Sequence, residues 1–375
     1  MSSLQTPASQ PTPPQSTPAR PIVLVDSSVL RDEAIVPNAW LDGLDCRPYE
    51  SGALLASARV GDLASAEGLV VRSMTRVDAA ALRSMPSLRA VATLSSGCDH
   101  LDLPALADRG VALFTGHGGN AVAVADWVLW ALCRLWRVVP AKTAMAGRRV
   151  VVVGVGAVGG EVMALLRAHG ADCVPVDPPR AARDPLFVGL SLAQALIGRV
   201  DALTLHVPLE RHGAHPTVAL VDATVLDAVP GAAVLQASRG GVLDEAAARR
   251  ARSSGKIAGL ALDVFVGEPL PDPALVAAAD LVTPHIAGHS AEGKVRVAGL
   301  AIDPWRRALI PDAPPLDIEL ACAFAHAQTV ALVGDGAPAA FASLDAADTA
   351  LRELVGLGAS FRPQRARHRR CELAR

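Results

Sequence analysis

Arg239, Glu268 and His285 stand in three separate segments, 237–240, 263–269 and 283–288, each directly after a short apolar run. An arginine fork can hold a carboxylate through two hydrogen bonds and polarise a neighbouring oxygen. An imidazole whose second nitrogen faces a carboxylate has a fixed tautomer and is a better base than a free histidine of pKa about 6.5. Oxidising a hydroxy acid needs a cation for the acid group, a base for the hydroxyl proton and a hydride acceptor. The three residues supply the first two. Each alone has a bland alternative: a surface ion pair for Arg239, a turn residue for Glu268, a satisfied loop residue for His285. Arranged in order behind a nucleotide-binding signature, they read together as one chemical site.

That signature supplies the third requirement. The apolar run 150–153 leads at once into Gly154, Gly156 and Gly159 and then a helical stretch, 161–169. In such a strand-turn-helix the first glycine permits the tight turn, the second lets backbone approach a pyrophosphate, and the third lets helix pack on strand. Free amides at the helix start then hold the phosphates. Asp177 ends the next apolar run, where a carboxylate can accept both ribose hydroxyls and repel a 2'-phosphate; the alternative is a helix cap. NAD is expected rather than NADP, although Arg180 stands close by.

The elements needed to position these residues are α/β in pattern. Short β-branched runs alternate with Ala/Leu-rich stretches of helical spacing, as in parallel sheets covered by helices. Strands are expected at 21–25, 68–71, 89–94 and 111–114, with a helix at 78–84 among them. Asn120 reads as the cap of a helix over 121–139. A second set follows at 150–153, 173–176, 202–205, 233–235, 258–262 and near Leu281, matching a dinucleotide-binding, Rossmann-type doubly wound sheet. A helix over 292–309 leads back, and 310–315 resembles a linker. The last unit reads as α+β, with a strand at 329–333, a turn at 334–336 and a helix over 343–356. No internal repeat is visible.

The chain has 375 residues, 51% of them hydrophobic, enough for two or three domains at roughly 150 residues each. A net charge of -2 gives no global attraction for nucleic acid or an anionic membrane. The six cysteines show neither CxxC pairing nor zinc-ligand spacing with histidine, which fits free thiols in a reducing cytoplasm and no metal. Residues 1–20 read as a disordered tail. The run 121–140 is the only membrane suspect, and Asp126, Arg134 and Arg137 interrupt it, so a buried helix is expected.

From residues 22 to 301 the chain resembles the D-2-hydroxyacid dehydrogenase family. The resemblance rests on Gly119-Asn120 before Ala-Val-Ala-Asp-Trp, the glycine signature with Asp177, Ser238-Arg239-Gly240-Gly241-Val242-Leu243-Asp244, residues 263–269, and Pro284-His285. Strings at 71–77, 96–100, 177–180 and 283–294 resemble the branch that oxidises 4-phospho-D-erythronate in vitamin B6 synthesis. The resemblance implies a smaller flavodoxin-like substrate domain over 21–120 with a return segment 287–309. It further implies an NAD-binding domain over 121–286 and a dimerisation unit over 310–375. It makes Arg239, Glu268 and His285 catalytic, with His285 taking the proton. Ser73, Ser95 and residue 289 would touch substrate. Ala157, Val158, Asp177, Val207, Ala237, Ser238, Asp263 and Gly288, beside Gly154, Gly156 and Gly159, would touch NAD. Ser95 stands where threonine is expected, His289 where tyrosine is, and Val266 where an acidic residue is. Phosphate would need cations: Arg72 and Arg76, or some of Arg362, Arg365, Arg367, Arg369 and Arg370, if that cluster is not simply a solvated end. The same pattern leaves room for another acid, such as 3-phosphoglycerate or glycerate, and for an NAD-sensing corepressor.

Overall fold

The computed structural model describes residues 19–373 apart from 142, 334 and 335. All but the last two positions of the expected tail lie outside that range, as do two residues of the expected turn at 334–336.

Two wholly parallel sheets carry the chain. The first has β1 (Ile22–Asp26), β2 (Asp45–Tyr49), β3 (Gly68–Val71), β4 (Ala90–Thr93) and β5 (Ala112–Thr115) in the order β2-β1-β3-β4-β5, the flavodoxin-like order. β2 was not expected from sequence. Its Asp-Cys-Arg-Pro-Tyr has no apolar run, and Pro48 lacks a donor, which an edge strand tolerates.

The second sheet has β6 (Arg149–Val153), β7 (Asp172–Val176), β8 (Ala202–Leu205), β9 (Ala233–Gln236), β10 (Gly259–Leu262) and β11 (Leu281–Val282). Its order is β11-β10-β9-β8-β6-β7. Every residue of β8, β9 and β10 is buried, because helices cover both faces; this is why these strands read as continuous apolar runs. The direction of strand succession reverses at β6, the place where open α/β sheets bind ligands beyond the carboxyl ends of their strands.

The helix Ala121–Trp136 buries Trp127 and Trp130 beside this sheet and stops where Arg137 turns left-handed. The helix Ala291–Leu309 crosses back to the first sheet, burying Val295, Ala298, Ile302 and Trp305 there, and Trp305 Nε1 donates to the Ala90 carbonyl at 3.1 Å.

The last unit differs from expectation: it is helical among the described residues, not α+β. Residues 329–333 end a helix, Ile318–Val333, and the next, Gly336–Gly356, starts before Ser343. Cys322, Ala325 and Thr329 are all buried. That is a helical spacing, invisible when 329–333 is read alone as a β-branched run. Both helices pack on the same chain: Cys322 and Ala325 against the first sheet's core, Leu344 and Leu351 against the second's. Among the described residues, no helix is long and apolar enough to cross a membrane.

Candidate active site

The glycines after β6 each answer a distinct close approach. Gly154 has φ +85, and a β-carbon there would stand 2.5 Å from the His206 carbonyl oxygen and 2.7 Å from Val207 Cγ1. One on Gly159 would stand 1.9 Å from the Gly154 oxygen, so helix and turn touch through bare backbone. Gly156 faces open space. It begins the helix Ala157–Ala168 without a side-chain cap, leaving the first-turn amides of Ala157 and Val158 available to an anion.

Asp177 performs the alternative role, as a helix cap, and also holds the turn after β6. Its Oδ1 caps the short helix Pro178–Ala181 through the Arg180 amide at 2.9 Å, and Oδ2 accepts the Val155 amide at 2.8 Å. Each oxygen retains a lone pair for a ribose hydroxyl. Arg180 is tied down, donating to the Val155 carbonyl at 2.7 Å and lying over the Phe187 ring. The open glycine, free amides and acidic residue fit a dinucleotide.

At the ends of β10 and β11, Asp263 organises the next loop. Buried, its Oδ1 accepts the Thr283 hydroxyl at 2.5 Å and the Ile286 amide at 2.7 Å, while Oδ2 accepts the Ala287 amide at 2.9 Å. Burial raises its pKa, partly offset by His285 and these donors. Trp127 Nε1 donates to the same Thr283 hydroxyl at 2.8 Å. His285 projects from this clamped loop at φ +56. Its Nδ1 lies 2.7 Å from Glu268 Oε2, and Glu268 Oε1 accepts the Phe265 amide at 2.9 Å. Burial would raise the Glu268 pKa. The hydrogen bond and charge of His285, the Phe265 amide and Arg365 outweigh it, so the carboxyl ionises below its ordinary range. Nδ1 therefore carries the proton and Nε2 is left as the acceptor.

Arg239 follows β9 and reaches across to the first sheet's loops. Its Nε donates to Asp99 at 3.2 Å, and a β-carbon on Gly97 would stand 2.1 Å from its Nη2. Ser95 shapes that loop, donating to the Gly97 carbonyl at 2.8 Å with its oxygen 2.7 Å from the Thr93 hydroxyl. Ser238 is turned inward, its hydroxyl 2.8 Å from Gln236 Oε1, leaving Ala237 beside it half-buried. Ser73 is exposed at the end of β3, and Arg72 next to it lies 3.4 Å from the Ser28 hydroxyl. His289 Nδ1 is buried with no hydrogen-bond partner, and burial holds the ring's pKa well below the ordinary histidine value.

Some functional contacts were not legible. Asn120 starts its helix without capping it; its Oδ1 instead accepts the Ser96 hydroxyl at 2.9 Å, and its amide abuts Gly288. The C-terminal arginines are not all solvated. Arg370 is wholly buried, donating to the carbonyls of Ala123 at 2.8 Å and Ala287 at 2.6 Å. Glu372 pairs with Arg296 at 3.1 Å and accepts Ser290 at 3.0 Å. Arg362 and Arg369 are exposed, Arg365 is half-buried, and the side chain of Arg367 lies outside the described residues.

Residues 129–287 match the family model of the D-isomer specific 2-hydroxyacid dehydrogenase NAD binding domain. The chain is 44% identical over 235 residues to an erythronate-4-phosphate dehydrogenase of Pseudomonas aeruginosa strain PAO1, an alignment covering 62% of this chain and 61% of that protein. It is 38% identical over 324 residues to one from Chromohalobacter salexigens, covering 80% and 81%. A Sinorhizobium meliloti NADPH-dependent glyoxylate/hydroxypyruvate reductase superposes with TM-score 0.61 at 26% identity, covering 77% of this chain and 93% of that one. A D-lactate dehydrogenase from Aquifex aeolicus, complexed with NAD and lactic acid, shares the fold with TM-score 0.58 at 21% identity, covering 77% and 96%.

Proposed function

The chain belongs to the D-isomer specific 2-hydroxyacid dehydrogenases, and from that premise we propose that it oxidises 4-phospho-D-erythronate to (R)-3-hydroxy-2-oxo-4-phosphonooxybutanoate with NAD. The names of its curated relatives support this substrate, as does the string around Ser73. In a cell the step would serve pyridoxal 5'-phosphate (vitamin B6) synthesis in the cytoplasm.

The observation that carries the reading is the 2.7 Å contact between Glu268 and His285 Nδ1, because it leaves Nε2 free to accept a proton. Arg239 grips the substrate carboxylate and polarises the C2 oxygen. His285 Nε2 takes the C2 hydroxyl proton, and Glu268 stabilises the imidazolium so formed. Bound NAD supplies the acceptor for the hydride leaving C2. Residues 154–159 and Asp177 hold the cofactor, with Val207, Ala237, Ser238, Asp263 and Gly288 around it; Ser73, Ser95, His289 and Arg72 line the substrate side. The domain limits proposed are those expected from sequence: 21–120 with 287–309, 121–286, and 310–375.

NADH absorbance during incubation with 4-phospho-D-erythronate tests the reading. Turnover that disappears in His285→Ala while NAD still binds supports it; no absorbance change with wild-type protein removes the substrate assignment. His289, in place of the expected tyrosine, favours including 3-phosphoglycerate and glycerate in the same panel. A homodimer completes the proposal, supported by Leu320 and Phe324, one turn apart and 67% and 60% exposed.

A further inference from the structure

Resting on the dehydrogenase reading of this crevice, we propose that Arg365 receives the phosphate of a phosphorylated hydroxy acid, delivered to the site in cis by the C-terminal segment of the same chain.

The segment is fastened at both ends to the loops that carry the reacting groups. At its start the Phe361 amide donates to the Pro269 carbonyl at 3.3 Å, next to Glu268, and its ring packs on Phe265 with centroids 6.5 Å apart. At its end Arg370 donates to the Ala287 carbonyl, and its own carbonyl accepts the Ala291 amide at 2.9 Å, just past His285. Between these anchors runs the helix Arg362–Arg367. Arg365 therefore lies on a segment tied to both the Glu268 loop and the His285 loop.

Its guanidinium lies in the electrostatic field of Glu268 and Asp263 and of Arg72 and Arg239. Among the described residues it forms no hydrogen bond and no ion pair, although it is half-buried. The neighbourhood adds more cationic and basic groups. Lys294 reaches the His368 carbonyl at 3.5 Å and shares the field of Arg72 and Arg369; His289 and His368 each bury a ring nitrogen without a partner. Arg365 and Lys294 each feel the repulsion of Arg72, which a bound phosphate monoester would relieve. A phosphate monoester matches the guanidinium fork.

The experiment compares wild type, Arg365→Ala and Arg365→Lys on 4-phospho-D-erythronate and on plain D-erythronate, with inorganic phosphate as a competitive inhibitor. Melting temperature and NADH binding monitor folding. The proposal expects Arg365→Ala to raise KM for the phosphorylated acid roughly 10- to 100-fold. It should leave kcat/KM for the plain acid within about twofold and abolish inhibition by phosphate, with Arg365→Lys intermediate. An unchanged KM, or equal losses on both acids, overturns it. If wild type prefers 3-phosphoglycerate instead, the substrate assignment falls and the same comparison is made on that acid against glycerate. If wild type oxidises acids without favouring phosphorylated ones, the Arg365 proposal falls and the dehydrogenase reading stands.

Discussion

Gly97 and Arg239 come from opposite sheets and meet so closely that a β-carbon on the glycine would stand 2.1 Å from the guanidinium Nη2. The glycine backbone is outside the left-handed region, so substitution tests the contact and not backbone strain. Gly97→Ala should displace the fork from the carboxylate and lower kcat/KM roughly 10- to 100-fold. NAD affinity, measured by fluorescence titration, should be unchanged.

Glu268→Gln removes the charge that stabilises the His285 imidazolium while keeping the side chain's shape. We expect kcat to fall by roughly 100-fold or more. The pair also ties stability to pH. Because Glu268 ionises below its ordinary value of 4.5 when folded, its contribution is present above that value and is lost as pH falls through the lower folded one. Melting temperatures of wild type and Glu268→Gln should differ at neutral pH and converge in acid; a constant gap across pH 3–7 would refute the linkage.

Asp263→Asn replaces an acceptor of three donors with a group that has only one acceptor oxygen. At least one of the Thr283, Ile286 and Ala287 donors loses its partner, at about 1–3 kcal/mol. Denaturant unfolding should show that loss, and kcat should fall as the His285 loop loosens.

These three residues mark how far sequence carries. The glycine turn after β6 and the pairing of Glu268 with His285 were legible because each depends on local chain geometry or on residue types that favour one another. The parallel sheets were legible through their uninterrupted apolar runs. Asp263 showed only as part of a motif, and its clamp on three loop donors appears only in three dimensions. Asn120 looked like a cap because capping is the commonest use of asparagine before a helix; its contacts to Ser96 and Gly288 are long-range. The error at 329–333 came from a segment too short to display helical period, and the burial of Arg370 from treating clustered charge as solvated.

Arg370→Leu should leave the Ala123 and Ala287 carbonyls and the nearby Asp126, 3.9 Å away, without their cation. We expect a loss of about 3 kcal/mol in chemical denaturation.

The exposed pair Leu320 and Phe324 predicts the assembly. In analytical ultracentrifugation wild type should sediment as a dimer, and Leu320→Glu with Phe324→Glu should shift it toward monomer without altering the melting profile at low protein concentration. A wild-type monomer would end that assignment.

The fastening of residues 361–373 across the crevice also orders events during translation. The turn after β6 and the loop carrying His285 leave the ribosome before residues 361–373, so a nascent chain holds both before its final arginines arrive. A stop codon between residues 357 and 361 would accordingly keep both sheets and the helices that pack on them, and remove only the segment tied to Pro269, Ala287 and Ala291.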